Sequence, residues 1–108
     1  MPRKTRLVSV YLTAKDMQEA DKIRDALLKN RLAACVNTIA KIDSCFWWEG
    51  RMRSCEEVGL IAKSRAALVK KIVKKVKEIH SDSVPCIVAW PIIGGNQDYL
   101  EWVERETK

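Results

Sequence analysis

The order of apolar and polar positions divides this chain into alternating strand and helix periods. Leu7–Thr13 is apolar at nearly every position, which suits a strand buried on both faces. Met17, Ala20, Ile23 and Leu27 recur at helical spacing, opposite a charged row of Asp21, Lys22, Arg24, Asp25 and Lys29. Asp16 is placed to cap that helix with Glu19 completing a capping box, and Asn30 to end it in the left-handed conformation. Two long strands follow, Leu32–Trp48 and Arg51–Lys63, joined at Glu49-Gly50, where Gly50 supplies the positive φ of a tight hairpin turn. The mixed faces of Asn37–Asp43 predict a bulge or bend in the first of them. Ser64 is placed as the N-cap of a second helix. Its apolar stripe is Leu68, Val69, Ile72, Val73, Val76 and Ile79, and it ends near His80. Pro85 opens and Pro91 closes a last strand, Cys86–Trp90, and prolines at both ends mark a sheet edge. After a turn at Gly94-Gly95, Asn96 caps a short helix carrying Tyr99, Leu100, Trp102 and Val103.

The resulting order, β-α-β-β-α-β plus a terminal helix, predicts an α+β fold of the ferredoxin-like kind. Two helices pack on one face of a four-stranded antiparallel sheet, with the first and third strands central. The expected division is a flexible arm over residues 1–6 and one domain over residues 7–108. The hairpin is too long for that domain. Its strands reach roughly 45–50 Å at about 3.3 Å per residue, against roughly 23 Å for Leu7–Thr13. Half of it therefore has no third strand, and that half carries Phe46, Trp47 and Trp48. Adjacent aromatics on an uncovered ribbon are an aggregation hazard in a monomer, so other copies of the chain are expected to cover them.

Composition narrows the function classes. No apolar run approaches the roughly 18–20 residues of a membrane span, and no secretory leader pattern is evident, so the expectation is a cytoplasmic protein without a membrane partner. The net charge of +6 raises nucleic acid as a partner. Much of it lies on one helix face (Lys70, Lys71, Lys74, Lys75, Lys77), the pattern of a solvated surface. Of aromatics on the central strands only Tyr11 is available for base stacking, which disfavours nucleic acid. Cys35, Cys45, Cys55 and Cys86 show no C-x-x-C spacing and are expected as reduced, buried apolar residues. Cys45 and Cys55 flank the hairpin turn; they face each other in one register and separate in the next, which leaves their pairing open. One histidine without a paired nucleophile, and no phosphate-cradling glycine motif, point away from an enzyme.

Four segments together resemble the CutA, or divalent-cation tolerance, family. They are Arg31–Asn37 (RLAACVN), Trp47-Trp48-Glu49-Gly50, Val84-Pro85, and Asn96-x-Asp98-Tyr99-Leu100-x-Trp102. The resemblance covers roughly Val8 to Val103. It implies a compact homotrimer of ferredoxin-like subunits with hairpins pairing across subunits, an architecture similar to the PII signalling trimers. It implies a role in the response to divalent metals such as copper, with no reaction and no required cofactor. A copper site attributed to some members uses a first-strand cysteine and two adjacent histidines. Here Leu12 and Ile79 stand at two of those positions, and only His80 is retained.

The candidate sites follow. His80 and Asp82 are candidates for a divalent cation, with copper foremost; one imidazole does not make a selective transition-metal site, and a place at a helix C-terminus also explains His80. Trp48, Glu49, Lys63, Tyr99 and Trp102 are candidates for an inter-subunit cleft able to take a metal ion or a small anionic ligand. Phe46, Trp47 and Trp48 are candidates for the oligomer interface, which alone would account for the aromatics.

Overall fold

The computed structural model describes residues 6–107. It contains strand β1 (Leu7–Ala14), helix α1 (Met17–Lys29), strands β2 (Cys35–Trp48) and β3 (Arg51–Arg65), helix α2 (Val69–Ile79), strand β4 (Ile87–Pro91) and helix α3 (Gln97–Glu106). The sheet runs β2-β3-β1-β4 and its described pairs are antiparallel, so β1 and β3 are central, as the ferredoxin-like reading requires. Alternate residues of the central strands (Val8, Val10, Leu12 and Ala14; Val58, Leu60 and Ala62) face α1 and α2. They pack there against Ala20, Ile23, Leu27, Leu68, Ile72 and Val76 in one core. Leu12, the strand position that the resemblance compares with a copper ligand, is fully buried in that core.

β3 pairs with β1 only from Val58 to Arg65, but with β2 from Lys63 out to Arg51. Residues 42–48 and 51–57 therefore project as a two-stranded ribbon with no third strand among the described residues, as the strand lengths predict. The molecule is correspondingly long, 47 × 25 × 22 Å. The turn has positive φ at both central residues, 51° at Glu49 and 78° at Gly50, the type I′ geometry whose twist matches a two-residue hairpin. The predicted bulge falls between Ile39 and Ile42, with Lys41 at φ 64°. It bends the ribbon where it leaves the sheet.

Several local expectations are corrected. Ser64 does not cap α2: it lies within β3 opposite Val8, fully buried, and its hydroxyl donates to the Leu32 carbonyl at 2.5 Å. A 3-10 turn over Ala66–Leu68 intervenes before α2, which starts without a side-chain cap. Asn30 is not left-handed (φ −91°); Arg31 is, at φ 57°. Arg31 N–H donates to the Leu28 carbonyl and Leu32 N–H to the Leu27 carbonyl, a Schellman ending with buried Leu32 as its apolar contact. The Arg31 guanidinium lies 2.7 Å from Glu106, tying this corner to α3. Met17 belongs to no core, being 46% exposed. Asp16 and Asn96 do cap, accepting from Glu19 N–H and Asp98 N–H.

The cysteines also depart from expectation. Cys45, Cys55 and Cys86 are exposed in the single chain and Cys35 is half-buried, because the first two ride the projecting ribbon and Cys86 adjoins the edge strand. Cys45 pairs with Ser54 and Cys55 with Ser44, which places the two thiols on opposite faces, and both are free. The expected arm lies outside the described residues except for Arg6. Its guanidinium pairs with Glu104 and its carbonyl accepts from Ala66 N–H.

A Cβ on Gly50 would meet nothing within 4 Å, so its φ alone decides the cost of replacing it. Gly50→Ala is expected to destabilise the hairpin by about 1–2 kcal/mol. Chemical denaturation should show this as a lower midpoint with unchanged slope.

Candidate functional site

The bent ribbon and the segment Ser81–Cys86 enclose a cleft of about 840 Å³ over the open end of the sheet. Ribbon residues 44 and 46–48 form one wall, Ser81–Cys86 the other, and Tyr11, Thr13 and Glu57 the floor. The ribbon has two unlike faces. Ser44, Phe46 and Trp48 share the side turned to the cleft, with Phe46 and Trp48 42% and 39% exposed. Trp47 pairs with Met52 across the strands, and this outer pair is 72% and 64% exposed.

The second wall is positioned by a buried latch. The His80 side chain has no exposed surface. Its Nδ1 accepts from Asp82 N–H at 3.0 Å, which places the ring proton on Nε2, and Nε2 then donates to the Thr13 carbonyl at 2.6 Å. Both nitrogens are therefore engaged within the chain. Glu19, 6% exposed, accepts from Lys15 N–H at 2.9 Å and from Ser81 N–H at 2.7 Å, with one oxygen 3.9 Å from His80 Nε2. Burial pushes the Glu19 carboxyl up. The hydrogen bonds from Lys15 and Ser81, with the neighbouring imidazole, outweigh that and hold it below the ordinary value. The latch thus ties the ends of β1 and α2 and the start of α1 to the cleft wall. Sequence reading assigned Glu19 only to the helix cap; its burial and its reach to Ser81 depend on a contact 62 residues away.

The sequence-predicted site residues fall in separate places. Trp48 and Glu49 stand at the ribbon tip, at the Trp48–Arg51 rung, while Lys63 pairs with Cys35 at the other end of the same ladder, roughly 40 Å of strand away. There Lys63 Nζ lies 2.6 Å from Asn37 Oδ1. The Tyr99 and Trp102 rings stack at a tilt with centroids 5.5 Å apart. Burial, then a hydrogen bond with Cys35, raises the Tyr99 phenol above its ordinary value. One chain does not gather these five residues into one cleft. His80 and Asp82 are neighbours. Among the described residues, however, no three His, Cys, Asp or Glu side chains come together as a metal-holding group. Among the same residues no helix is long and apolar enough to cross a membrane.

A ferredoxin-like subunit with an overlong β2–β3 hairpin and an added C-terminal helix is thus the class that the fold defines. The family model described as CutA1 divalent ion tolerance protein matches residues 8–106, and the chain belongs to that family. It is 41% identical over 96 residues to the divalent-cation tolerance protein CutA of Archaeoglobus fulgidus, covering 89% of this chain and 93% of that protein. It is 37% identical over 101 residues to the chloroplastic protein CutA 1 of rice (Oryza sativa), where it spans only 57% of the relative's length. The crystal structure of rice CutA1 superimposes with a TM-score of 0.93 at 35% identity, covering 97% of this chain and 96% of that one. The divalent cation tolerance protein of Thermus thermophilus gives 0.92 at 35% identity over 94% and 99%.

The depressed Glu19 carboxyl makes the latch pH-dependent. Because the folded value is the lower one, its stabilisation is present above the ordinary carboxylate range and is lost as pH falls through the folded value. Glu19→Gln is expected to cost about 1–3 kcal/mol at neutral pH. In urea melts the gap from the parent chain should close below about pH 4.

Proposed function

We propose that this chain works as a non-enzymatic divalent-cation tolerance protein, a homotrimer that takes part in the response to divalent metals such as copper. The observation that carries the assembly is the projecting ribbon, where Trp47 and Met52 stand 72% and 64% exposed on strands that no third strand covers. Neighbouring copies laid along it would bury those side chains and occupy its free backbone edges. The relatives' names, divalent-cation tolerance protein, support the metal role. His80 enters a copper site only by giving up its bond to Thr13 or to Asp82, which makes His80 with Asp82 a weak metal site.

A second reading, a PII-like sensor binding a small anionic ligand between subunits, draws on the separation of the candidates. Trp48 and Glu49 lie at one end of the hairpin ladder, while Lys63, Tyr99 and Trp102 lie toward the other end. A head-to-tail neighbour would bring the tip of one chain to the Lys63 end of the next, where an ammonium could meet an anion.

Calorimetry with copper chloride and with ATP separates the two. The first reading expects weak, saturable copper heat of at most one ion per chain, diminished by His80→Ala and Asp82→Asn, and no nucleotide heat. Nucleotide heat that neither substitution alters would favour the second.

Trp48→Ala empties a large aromatic site on the ribbon. It is expected to weaken assembly by about 2 kcal/mol or more, lowering the melting temperature and shifting sedimentation toward smaller species. Unchanged mass and melting temperature would argue against a structural role for the tip.

A further inference from the structure

The outer face of α2 is not balanced as an ordinary solvated helix is. Five lysines and one glutamate give Val69–Ile79 a net +4 of the chain's +6. Helix α1, packed beside it, holds three acids and three bases, and its Arg24 lies 2.9 Å from Asp21 and 3.0 Å from Asp25. On α2 the glutamate is engaged, with Lys75 Nζ 3.3 Å from Glu78. Lys70, Lys71, Lys74 and Lys77 are exposed, and among the described residues no carboxylate pairs with them. They stand at neighbouring positions of the helix surface (Lys70 and Lys74, Lys71 and Lys74, Lys74 and Lys77), where like charges repel. Lys70 and Lys71 also occupy the first turn, against the positive end of the helix dipole, with no acidic residue and no side-chain cap there. The helix holds because its inner face, Ile72 and Val76, is fully buried in the core. A local rule broken without local compensation points to a role for the face that breaks it.

Lys70, Lys74 and Lys77, with Val73 and Glu78, line a shallow groove of about 460 Å³. The three lysines form a stripe roughly 10 Å long, at about 1.5 Å of rise per residue. It looks away from the sheet, on the helix side of the molecule, whereas the ribbon cleft lies over Tyr11 and Thr13 on the other side. We propose that this stripe binds the phosphodiester backbone of a nucleic acid without reading its bases. Ammonium groups in a row complement the phosphates of one strand, which recur at about 3.4 Å of axis. Backbone contacts carry no sequence information and need no stacking platform, so the scarcity of aromatics on the central strands does not bear on them. An anionic bilayer fits less well. Val69, Ile72, Val73, Val76 and Ile79 are buried or half-buried, so α2 offers no apolar side chain to enter a bilayer. A plane would also press on α1, whose charges already balance. The proposal rests neither on the metal role nor on the assembly.

Fluorescence anisotropy of a labelled short DNA duplex, titrated with the full chain at about 50 mM salt, tests it. Saturable binding is expected, alike for two unrelated sequences, with a log–log salt slope of about −2 or steeper. Replacing Lys70, Lys74 and Lys77 together by glutamine should weaken binding by about ten-fold or more and flatten that slope. Replacing Lys15, Lys22 and Lys29 on the α1 side removes the same charge and should change the affinity by less than about two-fold. The α2 triple variant should melt no lower than the parent, because it removes like charges. The salt slope of the parent chain decides the matter without any variant. The proposal would be overturned by no saturation up to about 200 µM chain, by a shallower slope, or by equal losses in the two triple variants. Affinity unchanged in the α2 triple, or binding to phosphatidylserine vesicles or polyglutamate with none to DNA, would overturn it as well.

Discussion

The pairing of β2 with β3 beyond the reach of β1 is the constraint on which the rest of the molecule depends. Up to Val58 the ladder belongs to a four-stranded sheet backed by two helices. Past Val58, among the described residues, the same two strands pair only with each other. A two-stranded ribbon is marginal alone in water. Three local devices define its path: the type I′ turn at Glu49-Gly50, the bulge at Lys41, and Gly59. The last matters because Ile42 crosses over it; a Cβ there would lie 2.2 Å from Ile42 Cδ1. The bulge and the bare glycine let the ribbon lean over the sheet instead of running straight on, and that lean creates the cleft.

The opposite wall depends on burial of charge. Glu19 and His80 sit within the protein, and each satisfies its polar atoms on backbone groups of other segments. Such a cluster stabilises only while every bond is made, which is why a metal that competed for His80 would act against the fold. One histidine thus links the cleft to the metal reading. Its hydrogen bonds shape the cleft wall, and a metal would claim its ring only by breaking one of them. Both faces of the ribbon carry apolar surface: the Trp47–Met52 pair stands outward, and Phe46 and Trp48 line the cleft.

Much of the fold was legible in the sequence because each element has its own period. Apolar runs of strand length, a 3.6-residue stripe and the Glu49-Gly50 turn led to the element order, the central and edge strands and the overhanging hairpin. Where the reading failed, tertiary contact overrode a local signal. Ser64 looks like a helix cap, but β1 extends far enough to keep it in the sheet, where its hydroxyl finds Leu32. Asn30 is the residue type suited to a left-handed stop, yet the Schellman bonds and the contact with Glu106 put Arg31 there. The exposed cysteines follow from the overhang itself: strand residues are half-buried only when something covers the strand. The site was less legible. The aromatics and His80 were identifiable as residues, but the cleft arises from a bend and from long-range hydrogen bonds that no local pattern encodes.

The central claim, that sister chains cover the ribbon, is tested most directly by the mass of the protein in solution. Sedimentation equilibrium at micromolar concentration should return the mass of three chains, holding across a tenfold dilution. A folded species with the mass of one chain, its Trp47 emission that of indole in water, would contradict the account.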